Sequence, residues 1–317
     1  MRRLFSDAHY DFLGFRRRAY IASGIALAIG FAVAMYWEFA AGSWLRYGVD
    51  FTGGTLIQVE FNRPVTVAEL RPIVDPLFPG AQITRFGQEN GFLIRTPIAG
   101  EATSGAAEVI PDALRQHFGE NAFTVEQTDA VGAKVGGELQ TRALLAILLS
   151  FGATLVYLAF RFEWRFGAAA VIATAHDILL TLGLISVLQR EVSLPTVAAV
   201  LTIVGYSLND TIVIFDRIRE NLAGVGRREP FIAVLNRSIN ETLPRTVLTT
   251  ATTLATLLAL FLFGGAVIRD FALILIVGIV LGTYSSIFVA APALLEIEKR
   301  WPAERKKAKI AKVRAAT

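Results

Sequence analysis

Six long apolar runs, separated by polar segments, dominate the pattern along the chain. Each run holds 18 to 25 residues with at most one charged residue, which is enough for a helix to cross about 30 Å of hydrocarbon. The pattern predicts an α-helical membrane protein with six transmembrane helices. The runs are Ala19–Trp37, Ala143–Phe160, Phe166–Gln189, Val192–Phe215, Thr246–Ile268 and Phe271–Leu295.

The polar segment between the first two runs, residues 38–142, is long enough to form a domain. Its apolar residues recur with period 2 in some stretches and with helical spacing in others, which predicts the order βαββαβ of a ferredoxin-like fold. Glu89-Asn90-Gly91 has the chemistry of a tight hairpin turn. The predicted strands are Thr55–Phe61, Ala81–Gln88, Phe92–Ile98 and Phe123–Thr128, and the predicted helices are Val67–Leu77 and Glu108–Phe118.

Composition agrees with a membrane protein and excludes several kinds of site. The chain is 54% hydrophobic and 18% charged, with a mean hydropathy of +0.51, which is too apolar for an ordinary soluble domain. Cysteine is absent and the three histidines are scattered, so we expect no disulfide and no metal site. No nucleotide loop or catalytic triad is visible, and we expect neither an enzyme nor a cofactor. Asp50–Thr55 contains two glycines but no following Lys-Ser/Thr, which predicts a backbone turn.

The basic residues indicate the orientation. If the six helices alternate, 21 of the 31 Lys and Arg residues lie on the side of both termini, which the positive-inside rule makes cytoplasmic. These basic flanks suggest contact with anionic lipids, and they are poor evidence for binding to nucleic acid.

The predicted divisions are a cytoplasmic N-terminus (1–18), a first transmembrane helix (19–37), an outer α+β domain (38–142), a five-helix bundle (143–295) with a cytoplasmic amphipathic loop near 217–245, and a basic cytoplasmic tail (296–317).

Asp210 is the only charged residue in the run Val192–Phe215. A charge at the bilayer centre costs at least roughly 2.5 kcal/mol, so it normally faces a partner or a water-filled path. We interpret Asp210 as an ionisable, functional residue. The alternative is that Asn209 and Asp210 only hold helices together by hydrogen bonds.

Asp177 and Asp210 are both expected in the cytoplasmic half to the middle of the bilayer, with Arg245 on the same inner side. Helical rise places Asp177 about 16 Å and Asp210 about 8 Å from the inner ends of their runs, and Arg245 begins the fifth run on that inner side. The long side chain of Arg245 can reach toward Asp210. The pKa of a carboxyl group near an arginine depends on the distance between them and on whether water enters, which is the property that a proton-carrying switch needs. Arg245 could instead be an interfacial anchor.

Other polar residues in the membrane allow two interpretations. His176 is expected to be a hydrogen-bond partner rather than a relay, and together with Thr174 and Thr181 it could simply satisfy Asp177. The fifth run is dense in threonine. Thr249 and Thr253 could bond back to their own helix, or they could line a hydrated proton path.

Three further segments carry structural predictions. The charges in Asp216–Asn221 suggest either a mutually paired surface or a hinge. Residues 230–242 have the apolar spacing of an amphipathic helix lying on the inner membrane surface. Gly278 and Gly282 form a small-xxx-small pattern, which indicates helix packing.

Five motifs in this order give the chain a resemblance to the SecF family, the smaller subunit of the bacterial SecDF export factor in the resistance-nodulation-division superfamily. The similarity covers about residues 16–294. The motifs are Asp50-Phe51-Thr52-Gly53-Gly54-Thr55, Arg161-Phe162-Glu163-Trp164-Arg165-Phe166, His176-Asp177, Gly205-Tyr206-Ser207-Leu208-Asn209-Asp210-Thr211 and Asp216-Arg217-Ile218-Arg219-Glu220-Asn221.

The resemblance implies a bacterial inner-membrane protein with a periplasmic ferredoxin-like domain. It implies a pseudo-symmetric pair with SecD, association with the SecYEG channel and YajC, and proton-driven pulling of unfolded secretory polypeptide on the periplasmic side. Proton transport would carry over to Asp210 and Arg245, while Asp177 matches the family's His-Asp pair. A SecD half is absent from the chain, so we expect it to act as part of a complex.

Two other function classes remain open from the residues alone. One is half of a proton-coupled lipid or drug exporter, which would need a large apolar cleft in an outer domain of about 100 residues. The other is a passive membrane scaffold, in which Asp210 and Arg245 would matter only for the stability of a complex.

Overall fold

The computed structural model describes residues 9–86, 90–96, 105–225, 229–264 and 266–302. The first half of the chain forms α1 (Arg16–Ala41), β1 (Arg46–Tyr47), α2 (Val49–Thr52), β2 (Gly54–Phe61), α3 (Val67–Val74), β3 (Gln82–Arg85), β4 (Gly91–Thr96), α4 (Ala106–Phe118) and β5 (Phe123–Val131). The second half forms α5 (Ala133–Arg161), α6 (Trp164–Leu188), β6 (Glu191–Val192), α7 (Leu194–Val225), α8 (Phe231–Phe263), α9 (Ala266–Ser285), a π-helical turn (Ser286–Ala290) and α10 (Ala291–Arg300).

Among the described residues, six helical spans are long and apolar enough to cross a membrane, which confirms the predicted number. They are formed by α1, α5, α6, α7, α8 and the continuous stretch through α9 and α10. Several helices are longer than the apolar runs, because polar residues continue them beyond the hydrocarbon. In particular, α5 begins within the segment predicted to belong to the outer domain.

The predicted amphipathic surface helix at 230–242 is wrong, because these residues are the first turns of α8. Their apolar side chains pack on the bundle instead of lying on lipid, and Val234, Leu235 and Ile239 are each at most 1% exposed. Pro244 does not end the helix. The fifth and sixth apolar runs leave residues 269–270 between them as an expected outer turn, and this expectation is also wrong. Both residues lie inside α9, and α8 ends just before Gly264.

The outer segment contains one four-stranded antiparallel sheet in the order β3-β4-β2-β5. Helices α3 and α4 separate the strands in the predicted order βαββαβ, and one sheet face packs on them to form an apolar core. The predicted bounds were too generous for α3, which ends two residues before Pro76, a residue without an N–H group. Part of the Glu89-Asn90-Gly91 turn lies outside the described residues.

The second face of the sheet lies over the outer ends of the bundle helices. Leu56, Gln58 and Leu93 line a cavity of about 230 Å³ together with the first residues of α7. Strands β1 and β6 pair in parallel beside it, a two-residue contact that the sequence pattern did not predict. Asp50 accepts a hydrogen bond from the backbone N–H of Leu194 at 2.7 Å. Because α2 leads directly into β2, this hydrogen bond connects the start of the sheet to the outer end of α7.

The two glycines between α2 and β2 form the predicted turn. Gly53 and Gly54 have φ angles of 72° and 119°, a region that side chains with a Cβ avoid. The turn also packs tightly, since a Cβ on Gly136 of α5 would lie 3.0 Å from the backbone nitrogen of Gly53. The turn joins the sheet to α5 as well as to the first span.

Glycine contacts also set how closely the transmembrane helices approach. A Cβ on Gly30 of α1 would lie 3.1 Å from the Cα of Gly183 in α6, so the two backbones touch at this crossing. Gly278 and Gly282 of α9 press against Ile203 and Ser207 of α7 in the same way. Small residues at such crossings allow the backbone approach on which packing in lipid depends.

Replacing Gly30→Val should separate α1 from α6 and lower the free energy of unfolding by about 1–3 kcal/mol, the usual range for overpacking. The measurement is the unfolding transition in mild detergent. The matched control is Gly24→Val on the same helix, where nothing lies within 4 Å of an added Cβ. An equal loss in both variants would contradict the close crossing, because both share the same change in helix propensity.

Acid should weaken the start of α3. The hydroxyl and the backbone N–H of Thr66 both donate to Glu69, and these bonds hold the pKa of the Glu69 carboxyl below its ordinary value of 4.5. The stabilisation is therefore complete above that value and is lost as the pH falls through the lower folded pKa. Hydrogen exchange of the α3 amides, corrected for intrinsic rates, should show this loss. Glu69→Gln keeps the acceptor without the titration, so its protection should not depend on pH; an identical acid loss would contradict the assignment.

Candidate functional site

Asp210 lies about 24 Å from the outer end of α7, in the middle of the helix, and is 3% exposed. The side chain of Thr283 on α9 hydrogen-bonds its carboxylate, and Thr283 also contacts the hydroxyl of Thr250 on α8 at 2.9 Å. The second oxygen of Asp210, Oδ2, is buried without a hydrogen-bond partner. The carboxylate thus joins three helices and keeps one acceptor position free.

Arg245 lies on α8 with its side chain exposed. It acts on Asp210 electrostatically, but within the described chain no ion pair of 4.0 Å or less joins the two residues. The expectation that Arg245 reaches toward Asp210 therefore holds for the field at the carboxylate and not for direct contact.

Asp177 is bound from three sides and is 1% exposed. His176 Nδ1 lies 2.9 Å from its Oδ1, while Ser207 of α7 and Ser285 of α9 donate to its Oδ2 at 2.5 and 2.6 Å. Thr174 bonds to the carbonyl of its own helix, so it does not satisfy Asp177 as considered from the sequence. The partners of Asp177 come instead from two other helices.

His176 extends this network to α1. Its Nε2 lies 3.0 Å from the hydroxyl of Ser23, and Ser23 lies 3.1 Å from the hydroxyl of Tyr284 on α9. Tyr284 in turn donates to the carbonyl of Ala19 at 3.1 Å. The sequence indicated His176 and Asp177 but missed these hydroxyls. The run of polar residues 283–286 inside the sixth apolar run was the available signal.

The threonines of α8 mostly bond to their own helix. Thr249 donates to the carbonyls of Arg245 and Thr246, and Thr253 donates to the carbonyl of Thr249. This agrees with the packing interpretation for these two residues. Thr250 is the member of the series that reaches another helix.

Small and polar residues are exposed on α7 and α8. Thr202, Gly205 and Asn209 follow each other at helical spacing on the open side of α7, and Asn209 is exposed although Asp210 beside it is buried. Thr252 and Thr256 are exposed on α8, as is Arg245. Thr202, Thr252 and Thr256 donate to carbonyls of their own helices, but lipid offers no hydrogen bonds to the side chains of Asn209 and Arg245. This polar strip, residues 202, 205, 209, 245, 252 and 256, therefore has the character of a helix-packing surface.

The charges that follow the fourth span pair with one another, as one of the two interpretations predicted. Asp216 accepts from Arg161 at 2.7 Å, and Arg217 donates to Glu241 at the same distance. Asn221 donates to the hydroxyl of Ser238. These contacts link the inner ends of α5, α7 and α8. In the part of the chain that the structure describes, no group of three or more His, Cys, Asp or Glu side chains is placed to hold a metal ion.

Two family models match the chain. The model described as "Protein export membrane protein SecD/SecF, C-terminal" covers residues 111–300, and the one described as "SecD/SecF GG Motif" covers residues 40–65. The second match includes the turn at Gly53 and Gly54.

Curated relatives are similar over nearly the whole chain. A protein translocase subunit SecF of Gemmatimonas aurantiaca is 46% identical over 95% of this chain and 91% of its own length. The SecF of Magnetococcus marinus is 43% identical over 94% of both chains.

Solved structures show the same fold. The crystal structure of SecDF from Thermus thermophilus matches with a TM-score of 0.79 at 41% identity, over 93% of this chain and 39% of the SecDF chain. This chain therefore spans well under half of SecDF. On these similarities, over six apolar helices, the chain belongs to the SecF family of protein translocase subunits, multi-pass membrane components of protein transport.

Proposed function

We propose that the chain works with a SecD subunit as a proton-motive-force-driven part of the Sec translocase in the bacterial inner membrane. The observation that carries the proposal is Asp210, a buried carboxylate with a free acceptor position, linked to Thr283 and exposed to the field of Arg245. A carboxylate within the bilayer carries a large free-energy cost, and such residues are therefore rare and typically mark ion or proton pathways. Its partners lie on separate helices, so a change in its charge alters contacts between α7, α8 and α9.

In this mechanism a proton enters from the periplasm, binds Asp210 and leaves to the cytoplasm. Protonation removes the negative charge, and with it both the attraction of Arg245 and the charge on the oxygen that accepts from Thr283. The electrostatic attraction between Arg245 on α8 and Asp210 on α7 is then lost, while the contact between the hydroxyls of Thr250 and Thr283 remains. One proton crossing 100 mV supplies about 2.3 kcal/mol, enough to favour one helix arrangement over another.

The outer domain is attached at the outer end of α7, so a movement of that helix would reach the domain. Asp50 holds the first residue of α7, and Arg95 of the sheet forms an ion pair with Glu191 just before that helix. We assign this domain to the periplasm as a ferredoxin-like unit, on the basis of its strand order β3-β4-β2-β5 and its two helices on one face. Both termini would then be cytoplasmic.

The first partner required for this function is SecD. The chain corresponds to 39% of a SecDF chain, and the polar strip on α7 and α8 is uncovered. A SecD helix surface with polar groups would cover it. SecYEG, YajC, the emerging unfolded polypeptide and membrane lipids complete the proposed environment, in line with a protein-export role.

Asp210→Asn should remove the dependence of late translocation on the proton gradient, because the amide cannot take up a proton. Vesicles that contain the whole complex, with and without an imposed gradient, provide the measurement. The control is Asp216→Asn, a half-buried carboxylate nearer the inner end of the same helix, which should leave the gradient effect intact. Unchanged gradient dependence in Asp210→Asn would refute the mechanism, and loss of the complex instead of the gradient effect would favour a passive scaffold.

The polar strip should lie against SecD. Because the chain has no cysteine, Asn209→Cys introduces a single reactive position, which should cross-link to cysteines placed in the transmembrane helices of SecD. Ile25→Cys on α1 is the matched control, since this exposed apolar residue belongs to a helix that packs on α6. Equal cross-linking from both positions would argue against the strip as the interface.

A further inference from the structure

We propose that His176 and Asp177 form a second proton-binding site inside the membrane, distinct from Asp210, and that Ser23 and Tyr284 tie its protonation to the packing of α1. The site is built from four buried or half-buried hydroxyl groups on three helices around one imidazole and one carboxylate. His176 is 7% exposed and Asp177 is 1% exposed.

Counting hydrogens shows that Nε2 of His176 carries a proton. Three contacts run in series, from Nε2 to Ser23, from Ser23 to Tyr284 and from Tyr284 to the carbonyl of Ala19. Each contact needs one hydrogen, whereas the two hydroxyls supply only two. A carbonyl donates none, so the third hydrogen must be on Nε2.

The other side of the ring needs a further proton. The 2.9 Å contact between Nδ1 of His176 and Oδ1 of Asp177 contains one hydrogen. Oδ2 of Asp177 accepts hydrogen bonds from the hydroxyls of Ser207 and Ser285, which favour the ionised carboxylate, and imidazole is the stronger base of the two groups. The hydrogen therefore belongs to Nδ1. The pair is an imidazolium and a carboxylate with no net charge, which is the proton-loaded form.

The surroundings favour this neutral pair. An unpaired charge at this depth would be strongly destabilising, whereas a hydrogen-bonded ion pair can be tolerated. The groups that face the pair are Ser23 from α1, Ser207 from α7, and Tyr284 and Ser285 from α9. Asp210 follows one turn after Ser207. No Lys or Arg side chain of the described residues hydrogen-bonds the pair or lies within ion-pairing distance of it.

Loss of the proton from Nε2 has a structural consequence. The three contacts would then share two hydrogens, so one of the bonds that connect α6, α1 and α9 must break. Tyr284 and Ser285 lie immediately before the π-helical turn, a geometry that is rare and frequently found at functional sites. The same stretch of α9 binds both carboxylates, since Thr283 contacts Asp210 and Ser285 contacts Asp177. Release at one site is thus transmitted to the other through α9.

The role in transport rests on the proposed proton-driven function, but protonation can be measured without it. The full chain, labelled with ¹⁵N-histidine and held in lipid nanodiscs, has three histidines, and His176→Gln identifies the signal. We expect both ring nitrogens of His176 to carry a proton at neutral pH. Asp177→Asn should abolish that form, because an unpaired cation would remain buried.

Tyr284→Phe tests the hydroxyl chain. Without that acceptor Ser23 is free to donate to Nε2, and the ratio of doubly to singly protonated His176 should fall roughly ten-fold, as for the loss of a hydrogen bond to a charged group. Ser186→Ala is the control, since this buried hydroxyl of α6 donates to Trp44 outside the network. It should leave the ratio unchanged.

A bare Nε2 in the unaltered protein, or an unchanged ratio in Tyr284→Phe, would overturn the inference. The gradient assay separates the two proposals. If Asp210→Asn loses the gradient dependence and His176 is singly protonated, the proposed function is supported and the second proton-binding site is refuted. If His176 is doubly protonated and translocation by the complex does not depend on the gradient, the second proton-binding site is supported and the proposed function is refuted.

Discussion

Every polar side chain within the bundle has to find its hydrogen bonds in other side chains or in the backbone, because hydrocarbon offers none. This constraint explains why hydroxyl groups surround both carboxylates. Asp177 is fully bound by His176, Ser207 and Ser285, whereas Asp210 keeps Oδ2 without a partner. Asp177 thus belongs to a hydrogen-bonded network that holds its proton, whereas Asp210 has an oxygen atom that can accept a new partner.

The same constraint accounts for what lies on the surface of the bundle. Buried polar groups gather where α6, α7 and α9 meet, while Asn209 and Arg245 face outward beside them. A helix bundle that was complete in lipid would not present such groups. Their exposure fits a chain that matches only part of SecDF, and it places the missing contacts next to the carboxylate that is not fully satisfied.

The six spans and the order βαββαβ could be predicted because each depends on a repeating pattern within one segment. Asp210 and Asp177 were equally visible, since an isolated charge stands out in an apolar run. The partners of Asp177 were not, because Ser207 and Ser285 lie 30 and 108 residues away and only the packing of helices brings them together. The surface helix at 230–242 failed for a related reason: amphipathic spacing shows that one face is apolar but not whether lipid or protein covers it.

Helix α7 has 32 residues, about 48 Å at the usual rise, and therefore extends past the bilayer on both sides. Its first residue, Leu194, bonds to Asp50 of α2, Asp210 lies at its middle, and the paired charges near Asp216 lie in its last turns. Coupling free energies between sites are reciprocal. If proton binding moves the outer domain, a load on that domain must change the affinity for the proton by the same free energy. A polypeptide that resists export would thereby alter the affinity of the protein for its own driving ion.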